Sequence, residues 1–182
     1  MNMKNENNEI EKVNVLIDSN ELYERIKQVA AQINDDYDNS KVLNIICVLK
    51  GAFMFCSELI KYLKMPIKVE FVSLSSYGDS HNTTGRIKAL NMTLPEFKDE
   101  DVLIIEDIID TGLTLQFLNE FIEHNCKAKS VKTAVLLDKA ETRKIYIEAD
   151  YKCFNVADMF VVGFGLDDKQ LYRNLNYVGY IE

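Results

Sequence analysis

The sequence has few metal-binding and few basic features. It contains two histidines, His81 and His124, and four cysteines, Cys47, Cys56, Cys126 and Cys153, none of them in a CxxC pair. A tetrahedral zinc site needs clustered Cys and His ligands, so none is expected. Three of the cysteines lie in apolar runs and read as buried free thiols. The formal net charge is −8, which argues against a nucleic-acid surface with its basic stripe. An RNA-binding regulator is disfavoured for the same reason. No apolar run approaches the roughly 18 residues of a membrane span. The opening MNMKNENNEIEK has no basic stretch followed by an apolar core, so no secretory leader is expected. These absences point to a reducing, cytoplasmic setting. An anionic substrate would have to be met locally, by backbone N–H groups, a divalent cation and a few placed Lys or Arg.

What is present is 47% hydrophobic and 27% charged residues in 182, enough for one domain with a real core. One stretch dominates: VLIIEDIIDTGLTLQFLNEF, residues 102–121. Val102 to Ile105 read as a buried parallel strand. Glu106 and Asp107 follow, then Ile108, Ile109, a third carboxylate at Asp110, and Thr111-Gly112-Leu113-Thr114. Leu115, Leu118, Phe121 and Ile122 stand at helical spacing. The reading is strand, tight loop, helix N-terminus. Gly112 permits close backbone approach to a ligand, and the free N–H groups of the helix start, with the Thr111 and Thr114 hydroxyls, form an anion cradle. Three carboxylates beside it would repel a bare phosphate. They suit a ligand that offers hydroxyls or brings a divalent cation, and a phosphorylated ribose with Mg²⁺ does both. The plain alternative, a strand end with capping Asp and Thr, leaves three acids on an apolar strand end unexplained.

Along the rest of the chain, residues 1 to about 9 are expected to be disordered. Val13 to Ile17 suggest a short strand, Asp18-Ser19 a helix cap, and Leu22, Ile26, Val29, Ala30 and Ile33 one helix face. Residues 42–49 form a buried strand followed by Lys50-Gly51 and a helix from Ala52 to Leu63. Ile67 to Leu74 is a strand, and Arg86 to Met92 its return, joined by a polar Ser- and Gly-rich loop that starts near Tyr77 and reads as a lid. Val131 to Leu137 is a strand ending in Asp138-Lys139, Tyr151 to Val156 another. Leu171, Tyr172 and Leu175 suggest a short helical turn, and Tyr177 to Ile181 a last strand. Alternating strands and helices imply an α/β fold with a mainly parallel twisted sheet flanked by helices, in a single domain over residues 1–182. Ligands of such sheets gather at the carboxyl ends of the strands. A phospho-acceptor receiver domain also clusters acids there, but on separate strands rather than in one loop.

VLIIEDIIDTGLTL resembles the phosphoribosyl-pyrophosphate signature of type I phosphoribosyltransferases, and EDIIDTG the hypoxanthine(-guanine) branch. The similarity covers nearly the whole chain from Val13 onward. It implies a small hood built from the N- and C-terminal segments and a long flexible β-arm. VLKGAFMF resembles the pyrophosphate loop, with Lys50 and Gly51 as substrate contacts and a Leu49–Lys50 peptide that can be cis. SSYG resembles the loop that closes over the reacting centre, with Ser76 and Tyr77. VLLDK puts Lys139 at the purine O6, and DMFVVGFGLDD puts Phe160 on the purine face, the Val161 backbone at its edge and Asp167 at a second Mg²⁺. Arg173 matches an arginine at pyrophosphate. Within the signature the resemblance implies Asp110 as general base, Glu106 and Asp107 on the ribose hydroxyls and Mg²⁺, and Ile108, Thr111, Gly112, Leu113 and Thr114 around the substrate. Leu113 stands where several relatives carry a polar residue, and Ala157 where many have proline. The implied reaction is purine salvage, a purine (hypoxanthine, and guanine) plus 5-phosphoribosyl 1-pyrophosphate giving the nucleoside monophosphate and pyrophosphate. The implied assembly is a homodimer or homotetramer.

Overall fold

A computed structural model describes residues 3–4, 10–38, 42–76, 87–91 and 93–181. A six-stranded sheet forms its centre. It contains β4 (Leu43–Leu49), β5 (Ile67–Ser76), β6 (Ile87–Asn91), β7 (Asp101–Ile109), β8 (Ser130–Asp138) and β9 (Tyr151–Asn155), in the order β6-β5-β4-β7-β8-β9. All neighbours are parallel except the β5–β6 hairpin. The expected return strand is therefore present over Ile87–Asn91, while the loop before it, with Tyr77, lies outside the described residues. Two antiparallel sheets complete the strands: β1 (Met3–Lys4) with β2 (Ile10–Glu11), and a three-stranded hood of β3 (Val13–Ile17), β10 (Val161–Val162) and β11 (Val178–Ile181). The hood unites the N- and C-terminal segments as the resemblance implied.

The middle stretches of β4 (45–48), β7 (102–105) and β8 (134–137) are apolar because both faces are covered. On β4, Ile45 and Cys47 face a core shared with helix α1 (Ser19–Asp36) and helix α2 (Phe53–Leu59). Ile46 and Val48 face the opposite core, filled by Leu115, Leu118 and Ile122 of helix α3 (Leu113–Asn125). Strand alternation thus divides one hydrophobic run between two layers. Helix α1 starts where its sequence says, with Asp18 Oδ1 accepting from the Asn20 and Glu21 amides at 2.8 and 3.0 Å. It buries Leu22, Ile26, Val29, Ala30 and Ile33, the face marked by spacing.

Three readings differ from expectation: Met3–Lys4, expected within a disordered stretch, pairs with Ile10–Glu11, and two further elements depart from their expected course. Strand β7 does not stop at Ile105 but continues to Ile109, so Glu106 and Asp107 lie on the strand rather than in a loop. The ladder to β8 supplies the reason, since Glu106 pairs with Val135 and Ile108 with Leu137. The helical turn expected at 171–175 is absent. Gln170 and Tyr172 have φ of +69° and +71°, which no right-handed helix accommodates, and Leu171 instead forms an isolated bridge with Asp168.

Candidate functional site

Because β4, β7 and β8 are adjacent, their carboxyl ends deliver three loops to one place: Lys50-Gly51, Asp110 to Thr114, and Lys139. The chain steps from β4 to β5 on one side and continues with β7, β8 and β9 on the other. The gap between β4 and β7 is therefore the switch point at which open α/β sheets bind ligands. At the carboxyl end of β7 a cavity of about 270 Å³ is lined by residues 106–112, Thr114 and Leu115.

Two carboxylates form its floor. Glu106 is buried, and its Oε2 makes no hydrogen bond among the described residues. Burial drives its pKa well above the usual carboxylate range, and the neighbouring Asp107 charge adds to the rise. Asp107 is half-buried and also shifted up by desolvation, against the opposing pull of Glu106, backbone amides and Arg173. Its Oδ1 accepts from the Ile108 amide at 2.9 Å. Such a pair is held ready for a positive charge that would let both groups ionise. Both line the cavity rather than facing only the apolar interior.

The turn after β7 completes the cradle. Gly112 has φ +85°, a conformation that glycine adopts without penalty, and it precedes Leu113 at the start of α3. Among the described residues no side chain caps this helix, and no acid occupies its first turn. The one nearby hydroxyl contact, Leu113 N–H to Thr111 Oγ1, is long at 3.5 Å. The N–H groups and the dipole of a 13-residue helix therefore point toward the cavity mouth without competition. Asp110 is exposed beside them.

Of the remaining expected residues, Lys50, Asp167 and Arg173 are tied together through Gln170. The Leu49–Lys50 peptide is cis. Lys50 Nζ donates to Gln170 Oε1 at 3.0 Å, and Arg173 Nη2 reaches the same oxygen at 3.5 Å. Arg173 also pairs with Asp167 Oδ1 at 2.7 Å and donates to the Gly165 carbonyl at 2.7 Å. Gln170 is thus the bridge between two expected anion contacts, and the sequence carries no signal for it. Asp167 is fully engaged, since its Oδ2 accepts from the Gln170 amide at 2.8 Å. Among the described residues, no three His, Cys, Asp or Glu side chains form a metal-holding group, so Asp167 does not join Glu106 and Asp107 in one. Lys139 is buried and lies 3.8 Å from Asp158. Phe160 is 57% exposed, and Val161 is paired with Tyr180 in the hood. Ser76 ends β5, and Tyr77 lies outside the described residues.

A second unforeseen group sits behind the turn. Asp138, at the end of β8, is buried between Arg143 and Lys152, the latter at 3.1 Å. Arg143 Nη1 in turn donates to the Asp110 carbonyl at 3.3 Å.

Comparison with known proteins places this arrangement. The family described as "Phosphoribosyl transferase domain" matches residues 14–169. The hypoxanthine-guanine phosphoribosyltransferase of Streptococcus thermophilus is 42% identical over 168 residues, 92% of this chain and 92% of the relative. Its counterpart from Bacillus subtilis is 42% identical over 174 residues, covering 96% and 94%. Among solved structures, a hypoxanthine-guanine phosphoribosyltransferase from Bacillus anthracis superposes with a TM-score of 0.88 at 38% identity, covering 94% of this chain and 99% of its own.

Proposed function

The chain belongs to the phosphoribosyl transferase domain family, and from that premise we propose that it is a hypoxanthine-guanine phosphoribosyltransferase of purine salvage. It transfers the 5-phosphoribosyl group of 5-phosphoribosyl 1-pyrophosphate to hypoxanthine or guanine, releasing pyrophosphate. The observation that carries the reading is the uncapped α3 N-terminus standing beside a buried acid pair at the β4–β7 switch point.

In this reading the N–H groups from Asp110 to Thr114 bind the 5′-phosphate, which a helix start stabilises by both hydrogen bonding and dipole. The Leu113 amide serves this role whatever its side chain. Glu106 and Asp107 accept hydrogen bonds from the ribose 2′- and 3′-hydroxyls, and their negative charge favours the oxocarbenium-like ribose of the transition state. Asp110, exposed at the rim, takes the N7 proton of the purine, a contribution of about 10²–10⁴-fold. Lys139 donates to the purine O6, the open ring of Phe160 stacks on the base, and the Val161 backbone bonds its edge. Lys50, Gly51 and Arg173 receive the pyrophosphate. Ser76 and Tyr77 belong to the loop that excludes water during transfer.

Glu106 and Asp107 fit Mg²⁺. They are hard oxygen donors, one of them with an unpartnered buried oxygen, and Mg²⁺ is commonly held by one or two carboxylates together with substrate phosphates. When bound, the ion neutralises the leaving pyrophosphate. Asp167 fits a second ion less well, because both of its oxygens are already engaged, and no step is derived through it.

The proposed compartment is the cytoplasm, where the four buried cysteines would stay as free thiols. Assembly as a homodimer or homotetramer is part of the same reading. A spectrophotometric assay with hypoxanthine, guanine and xanthine, with and without Mg²⁺, tests it. Turnover of the first two only with the metal is expected; no turnover of any purine overturns it.

A further inference from the structure

The turn that forms the anion cradle is held from behind by a single segment. Three successive carbonyls are taken by residues 139–144. Ile109 O accepts from the Lys139 amide at 3.0 Å, and Thr111 O from the Lys144 amide at 3.1 Å. Between them, Asp110 O accepts from Arg143 Nη1 at 3.3 Å. Arg143 and the residues just after the segment press on the glycine of the turn. A Cβ on Gly112 would lie 2.6 Å from Ile147 Cγ2, 3.0 Å from Ile145 Cγ1 and 3.3 Å from Arg143 Cδ.

In a planar trans peptide the carbonyl and the N–H of one unit point in opposite directions. Fixing the carbonyls of Ile109, Asp110 and Thr111 on that segment therefore aims the amides of Asp110, Thr111 and Gly112 away from it, and all three residues line the cavity. Two of the three ties are backbone amides and do not depend on side-chain identity. The middle one is the Arg143 guanidinium. It is itself fixed, because Nη2 pairs with Asp138, whose carboxylate is buried and also held by Lys152. The middle carbonyl belongs to the residue that supplies the proposed base, and its peptide carries the Thr111 N–H.

We propose that Arg143 is a positioning residue for phosphate recognition. With one arm anchored on Asp138 and the other on the Asp110 carbonyl, it aims the Thr111 amide at the 5′-phosphate of the substrate. The inference rests on the function proposed above for its substrate class. Arg143 touches no reacting atom; it acts through the Asp110–Thr111 peptide. A planar guanidinium can serve two acceptors in fixed directions, whereas a lysine ammonium in the same place keeps the charge but loses the fork.

The test uses the full chain with Arg143→Lys and Arg143→Met. For each variant, the donor and purine KM are measured, with calorimetric binding of the nucleoside monophosphate product and of the nucleoside lacking the phosphate. Arg143→Lys retains the ion pair with Asp138, so its melting temperature is expected within a few degrees of the wild type. Its donor KM and its dissociation constant for the monophosphate rise about ten-fold, while purine KM and nucleoside affinity stay within two-fold. Arg143→Met gives at least the same loss, and if it does not fold, Arg143→Lys decides alone. Unchanged donor KM and monophosphate affinity in Arg143→Lys, or equal loss for nucleoside and monophosphate, overturn the proposal. Should the wild type turn over no purine, the functional reading fails instead, and the two binding measurements still decide the role of Arg143.

Discussion

Gly51 and Asp107 share one space: a methyl group on Gly51 would stand 1.5 Å from Asp107 Oδ2. The loop after β4 and the acid pair on β7 are thus packed together, with the Asp107 carboxylate filling the volume where any other residue would carry its side chain. This contact ties the loop proposed to receive pyrophosphate to the acids proposed to hold the ribose.

The first prediction follows directly. Gly51→Ala must push Asp107 or the loop aside, since real contacts of this kind do not fall below about 3 Å. The donor KM is expected to rise at least ten-fold, because both displaced groups are assigned to the donor, while purine KM changes little. Steady-state kinetics at varied donor concentration checks this, and an unchanged donor KM would show that the loop relaxes freely.

A second prediction separates base from binding. Asp110 is exposed and its carbonyl, not its carboxylate, is tied to Arg143. Asp110→Asn should therefore leave the turn and the donor KM nearly intact while kcat falls about 10²–10⁴-fold, the range for a lost general base. Wild-type turnover in this variant would remove Asp110 from the role.

How much of this was legible depends on whether a residue obeys the local pattern. The runs 42–49, broken only by Asn44, and 102–105 read as buried strands because both faces meet a core. Strand β7 outruns its apolar stretch because Glu106 and Asp107 break that pattern, and they break it at the candidate site. The 171–175 segment misled in the opposite way. Tyr172 and Leu175 are buried, so the apolar spacing was real, but it serves the hood through turns with positive φ rather than through a helix. Gln170 and Arg143 left no trace because they lie outside periodic elements and their partners are far off, 120 residues to Lys50 and 33 to Asp110.

The buried acids give a third prediction, on pH. The folded pKa of Glu106 lies well above its unfolded value, mainly through desolvation. A carboxyl shifted this way contributes stability below its unfolded pKa, and that contribution is lost as pH rises through the folded value. In chelator and without ligand, the protein should lose melting temperature from mildly acidic pH upward more steeply than Glu106→Gln, which mimics the protonated form. The same variant should bind the donor more weakly at neutral pH. Parallel melting curves for the two proteins between pH 5 and 9 would show that Glu106 ionises without cost.

Phe160 offers a prediction in which structure and function separate. Its ring is 57% exposed, so removing it opens no cavity in the core and leaves the hood strands, which pair through backbone at Val161 and Val162, in place. The melting temperature of Phe160→Ala should stay within about 2 °C of the wild type. If the ring is the stacking face for the purine, however, its loss costs about 1–3 kcal/mol of base binding, the range seen when stacked aromatics are truncated. Purine KM should then rise about ten-fold, and equally for hypoxanthine and guanine, because stacking does not read the 2-position of the base. Donor KM should not move, since the donor is assigned to Gly51, the acid pair and the α3 N-terminus and not to Phe160. Phe160→Tyr should restore most of the purine affinity by restoring the ring. A Phe160→Ala variant with wild-type purine KM would take this ring out of the site and leave base recognition to Lys139 and the Val161 backbone.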